Sequence, residues 1–274
     1  MLFRGIKIAL LVLFGVITVA FGIFMGYEYT HEDVSAPVFV IEDDVIEVSV
    51  RASNEELCKG LYAYDNVDGD ISDKISVYKI SQLVSLNEAT ITYVVFDQAS
   101  NHATCSRTVR YTDYRKPRFS ISEPLVFRVG ERILLDSVGA SDVLDGNITN
   151  RITYDASIST VSPGYYPMLM QVINSAGDAA SLTVTVIVET GSASAPIIRL
   201  RDYLIYVSAG DTLNYKSFVK SIKDPRVPGH IPTSKIEYNA EDVDLSTPGT
   251  YEVYYYYTGL SGDVATVILT VVVE

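Results

Sequence analysis

A chain of 274 residues with 48% hydrophobic content holds enough apolar material for a packed core, which excludes wholesale disorder. The formal net charge of −13 argues against nucleic acid and anionic lipid headgroups as partners, because both repel a polyanion. Two cysteines are too few for a disulfide-dense scaffold and enough for one bridge.

In chain order, residues 1–7 carry Arg4 and Lys7, and residues 8–27, Ile8 to Tyr27, contain no charge. Such a run matches the roughly 20 residues that a helix needs to cross the hydrocarbon layer. Glu28, Glu32 and Asp33 follow in the linker 28–35. Basic residues stay cytoplasmic, so the pattern predicts a single-pass anchor in the cell membrane with the long C-terminal part outside. A cleaved signal peptide shares the basic start. Thr18-Val19-Ala20 offers a cleavage site, but Phe21 to Met25 carries the apolar run past it. Gly22 and Gly26 form a small-xxx-small pair through which the helix could meet a second copy as a homodimer.

Beyond the anchor the chain repeats itself. Pro37, Pro117 and Pro196 open three units, predicted over 36–112, 116–189 and 195–274. A gapless offset of 77 carries Asp65, Asp68, Gly69, Ile71 and Ile75 onto Asp142, Asp145, Gly146, Ile148 and Ile152. The same offset takes Asp97 to Asn174, and an offset of 85 takes Gly177-Asp178 to Gly262-Asp263. Runs such as Ala89 to Phe96 and Ser181 to Val188 are β-branched and alternate with period two, bounded by turn residues. Several short strands per unit predict an all-β protein of three small two-sheet sandwiches. No helical period appears outside the anchor.

The order of an opening Pro, Asp-x-x-Asp-Gly-Asp/Asn-Ile-x-x-x-Ile, Pro-Gly-x-Tyr and a final Thr/Val-rich strand resembles the bacterial surface immunoglobulin-like repeats also found in a pesticidal crystal toxin. The resemblance covers residues 36–274. Unit one lacks Pro-Gly and has Ser100 where the family has Gly, and unit three replaces the acidic motif with Lys223 to Ile231. The likeness implies a stalk or adhesive module, and the expected partner is a protein or cell-wall glycan at the surface. No acid/base or nucleophile constellation appears, so neither enzymatic activity nor a cofactor is expected. An accessory subunit that holds an envelope enzyme or transporter is the alternative.

The acidic motif admits three uses, of which catalysis is set aside because it needs a partner acid or nucleophile held in a cleft. Asp and Asn side chains accept hydrogen bonds from backbone N–H groups two residues on, and Gly allows the positive φ of a tight turn. The second use is a weak Ca²⁺ site on Asp65, Asp68, Asp70 and Asp97 of unit one, where every position remains a carboxylate. The change to Asn147 and Asn174 in unit two favours the turn, so the expectation is no metal and little effect of calcium on the fold.

The repeat register sets Cys58 against Leu135 and Tyr215, and Cys105 against Leu182 and Val267. Read as apolar strand positions, they predict an intradomain disulfide, with a reduced buried pair as the alternative. Alternation also places Tyr251, Val253, Tyr255 and Tyr257 on a core face, leaving Tyr254 and Tyr256 on the opposite one. Two tyrosines facing water predict a contact surface, unless a neighbouring segment covers them.

Overall fold

The computed structural model describes every residue except Met1, Glu32, Leu86 and Ala193, and backbone alone at 2–4, 8–9 and 27–31. The side chains of Arg4, Glu28 and Glu32, on which the predicted orientation rests, lie outside the described set. Helix α1 spans Leu2–His31, and its stretch Gly5–Gly26 is long and apolar enough to cross a membrane. At about 1.5 Å per residue those 22 residues reach about 33 Å, against a hydrocarbon core of about 30 Å. The Thr18 hydroxyl donates to the Phe14 carbonyl at 2.9 Å, which satisfies it within the helix.

The remainder is nearly all β, and the chain divides into two compact units, Met1–Thr112 and Asp113–Glu274. In the first, Val38–Ile41, Leu61–Asp65 and Gly69–Asp70 form one sheet. Val45–Val48, His102–Tyr111, Glu88–Phe96 and Ser76–Ser85 form the other. The short strand Val45–Val48 runs parallel to the final strand while the neighbouring pairs are antiparallel. The same plan recurs twice in the second unit, where Val126–Arg128 and Leu204–Val207 take the parallel edge. Three immunoglobulin-like sandwiches therefore follow α1.

Alternation decides what is buried. Ala89, Ile91, Tyr93 and Val95 are at most 1% exposed, and Ile71 and Ile148 plug their cores beneath the acidic turns. Burying each such side chain contributes about 1.5–3 kcal/mol. In the second unit the buried residues of the two repeats join into one cluster that runs from Phe119 to Val273. Among the described residues the expectation of no further helix fails at one α-helix and at four short 3-10 turns. Helix α2, Asn54–Cys58, is set by a capping box in which Ser53 and Glu56 satisfy each other's backbone N–H. Five residues are too few to show a helical period.

Candidate functional site

The acidic motif folds as paired turns. At the end of strand Leu61–Asp65, Asp65 Oδ1 accepts from the N–H groups of Val67 at 2.8 Å and Asp68 at 2.9 Å. Asp142 does the same for Leu144 and Asp145. Gly69 and Gly146 then take φ of 74° and 70°, a conformation that costs a side-chain-bearing residue about 1–2 kcal/mol.

The four candidate calcium ligands separate. Asp68 Oδ2 accepts from the Gln98 N–H at 2.7 Å and lies 3.6 Å from Lys74 Nζ. Asp70 accepts from the hydroxyl and N–H of Ser72, and both bonds hold its carboxyl below the usual range. Ser72 Oγ in turn accepts from the Ala63 N–H, which ties the turn to its strand. Asp65 and Asp97 are brought together instead, and Asp33 joins them from the segment after α1. Asp33 was invisible to motif reading because it precedes the repeat and belongs to no spacing within it.

The third repeat keeps the same device without the motif. Asp224 Oδ1 accepts from the Arg226 N–H at 2.9 Å, and Asp224 is 5% exposed.

Cys58 and Cys105 stand as free, half-buried thiols, so the expected bridge is not formed in this structure. Cys58 is also not a strand residue, since it closes α2. Cys105 lies opposite Tyr93 across the ladder. Burial pushes both thiols above their ordinary value, and the Arg107 guanidinium, a neighbour of both, pulls the other way. Arg107 occupies a core position that Val184 and Leu269 fill in the other repeats, and its charge is met by hydrogen bonds to backbone carbonyls and to Tyr93.

Tyr254 and Tyr256 do not form an open face. Both are half-buried, with stacked rings 6.4 Å apart. Tyr254 meets Tyr165 of the preceding repeat edge-on at 6.1 Å and donates to Glu252 at 2.7 Å. Glu252 in turn accepts from the N–H and hydroxyl of Thr185. Of the expected core face only Val253 and Tyr255 are buried, Tyr251 and Tyr257 being half-buried, and the second repeat covers part of the outward face. Nearby, the Arg118 guanidinium stacks 4.7 Å above the Tyr206 ring and pairs with Glu274. Along α1, open space surrounds the position of a Cβ on Gly22 and on Gly26.

No family model matches the chain. A stretch of 206 residues, 73% of the chain, is 23% identical to an uncharacterized 81.3 kDa protein of Acholeplasma phage L2. The chain spans 26% of that curated relative's length. Among solved structures, the M60 catalytic domain of Clostridium perfringens ZmpB with its two CBM51 domains aligns over 88% of this chain and 31% of its own. The TM-score there is 0.25 with 13% identity. A Bacteroides thetaiotaomicron lipoprotein aligns over 56% of this chain and 98% of its own, at TM-score 0.24 and 10% identity. Drosophila N-cadherin EC1-4 aligns over 89% and 76%, at TM-score 0.23 and 16% identity. Alignments this loose assign neither partner nor activity.

Proposed function

We propose that the chain is a single-pass membrane protein whose immunoglobulin-like repeats stand outside the cell and present or space a binding surface for a protein or glycan. The observation that carries this reading is α1. Its 22-residue span carries one charge, Lys7 near its start, none of its described side chains is buried within the protein, and the Thr18 hydroxyl is satisfied internally. A helix of that kind exposed to water would leave a large apolar area unburied, and lipid removes the cost. The acidic repeats suit a solvated exterior. The reading carries no catalytic role.

Full-length chain produced in a bacterium should remain with carbonate-washed membranes, and external protease should remove the repeats from intact cells. Release by carbonate, or a mature mass that begins after Ala20, refutes the anchor. Two copies of α1 can approach along Gly22 and Gly26. Gly22→Leu with Gly26→Leu should lower association in a membrane two-hybrid assay, and an unchanged signal removes the helix contact.

A further inference from the structure

We infer that the first repeat binds one Ca²⁺ ion between Asp33, Asp65 and Asp97. One carboxylate oxygen from each lies within 4.8 Å of the other two. Oxygens on a single Ca²⁺ stand about 2.3–2.6 Å from it, and so at most about 5 Å from each other. The three groups are already at the separation that one ion imposes. Asp65 and Asp97 are 8% and 7% exposed, and among the described residues no ion pair holds any of the three.

The second observation is independent of the clustering. Asp65 Oδ1 is satisfied by the turn, but Asp65 Oδ2 is fully buried and, among the described residues, has no hydrogen-bond partner. A buried charged oxygen left without a partner is costly, and native structures rarely keep one without a ligand. Asn101 does not supply the missing donor. Its Nδ2 is spent on Asp97 Oδ2 at 2.8 Å and on the Asp33 carbonyl at 3.0 Å.

The other two repeats show what that oxygen needs. Asp142 Oδ2 accepts from Asn174 Nδ2 at 3.2 Å, and the same amide reaches the Tyr114 hydroxyl at 3.0 Å. Asp224 Oδ2 accepts from the Leu260 N–H at 2.8 Å. That approach requires Gly259, where a Cβ would stand 2.9 Å from the same oxygen. Positions 97, 174 and 259 are equivalent by the repeat offsets, and they hold Asp, Asn and Gly. The Asp97 side chain has no N–H to offer Asp65 Oδ2. A cation supplies the positive charge that the amide and the N–H supply elsewhere. A donor set made only of carboxylate oxygens selects a hard ion such as Ca²⁺ over Zn²⁺, and backbone carbonyls or water complete its shell. Because Asp33 belongs to the segment after α1, the ion ties that segment to the first repeat.

The test is calorimetric titration of the full-length, chelator-stripped chain in detergent micelles with Ca²⁺ alone at neutral pH. One ion per chain is expected. Asp97→Asn installs the amide that the second repeat already uses, so the fold is kept. The dissociation constant should rise at least about tenfold, because affinity follows ligand charge. Asp33→Asn, outside the sandwich, should weaken binding in the same direction. Asp73→Asn removes an exposed acid from the same turn and should leave binding unchanged. Absence of binding at millimolar Ca²⁺ overturns the site. Binding by Asp97→Asn equal to the parent's overturns it as well.

Discussion

Arg107 is the most exacting test of how the first repeat is held together. It is 4% exposed, and among the described residues no ion pair holds it. Its Nε donates to the Tyr93 hydroxyl at 3.0 Å. Its Nη2 donates to the Leu57 and Lys59 carbonyls at 2.6 and 2.8 Å. The guanidinium also lies 5.3 Å from the centroid of the Tyr93 ring. Hydrogen bonds from a charged donor contribute about 1.5–3 kcal/mol each, so three amount to roughly 4–9 kcal/mol gross. Dehydrating the guanidinium offsets several kcal/mol of that. Arg107→Ala should therefore cost about 3 kcal/mol, because it also leaves a cavity and strands the Lys59 carbonyl. The Leu57 carbonyl keeps the Tyr93 hydroxyl at 2.6 Å.

For a domain of this size each kcal/mol shifts Tm by about 4–8 °C, so the first repeat should melt roughly 12–24 °C lower. Scanning calorimetry of the full chain in micelles reads this directly, with the unit Asp113–Glu274 as internal reference. Arg107→Leu should lose less than the alanine variant, because a leucine refills the space. A change below about 1 kcal/mol in Arg107→Ala would refute the reasoning, since the bonds would then barely exceed the dehydration cost.

Ser100 holds φ of 72°, where the equivalent residues are Gly177 and Gly262, so Ser100→Gly should raise the first repeat's stability by about 0.5–1 kcal/mol in urea melts. No gain would mean that the turn relaxes without strain. Asp65 is held below its ordinary value of 3.8 by the Asp68 and Val67 N–H groups, and Asp70 by Ser72. The unfolded chain then binds more protons in acid, so stability present above 3.8 is lost as pH falls through it towards the folded values. Asp70→Asn should make the acid limb of the first repeat shallower, and an equally steep limb would show that Ser72 does not favour the ionised form. With the repeats outside the cell, as proposed, Cys58 and Cys105, both neighbours of Arg107, should pair under oxidising conditions. Thiol titration of the unfolded, unreduced chain should find none, whereas two reactive thiols would mean that the pair stays reduced beside Arg107.

Local features were legible because their causes are local. Period-two alternation named Ala89, Ile91, Tyr93 and Val95 as a core face, and the offset of 77 aligned one acidic turn with the next. What escaped depends on groups distant in sequence. Asp68 is claimed by the Gln98 N–H, thirty residues on, and Tyr254 is covered through Tyr165. The third repeat seemed to have lost the motif, yet Asp224 caps its turn as Asp65 and Asp142 do. There the spacing had drifted while the chemistry stayed. Arg107 did leave a signal, a charge in register with Val184 and Leu269, but its acceptors are carbonyls that no side-chain pattern encodes.

The turn aspartate shows why internal repetition alone could not separate a structural acid from a ligand. Its first oxygen has a fixed duty, because the backbone N–H groups of the turn need an acceptor in every repeat. Its second oxygen has no such duty, and whatever stands at positions 97, 174 or 259 decides its fate. An amide or a backbone N–H satisfies it permanently, so the second and third repeats should be indifferent to chelator. A carboxylate leaves it dependent on an ion, and the stabilisation then follows RT ln(1 + [L]/Kd). At ten times Kd the ion would contribute about 1.4 kcal/mol, comparable with a helix cap and enough to matter in a small sandwich. The same substitution that reads as a conservative Asp-to-Asn drift between repeats therefore moves a domain from constitutive to ion-dependent order. Its effect is confined to the first repeat.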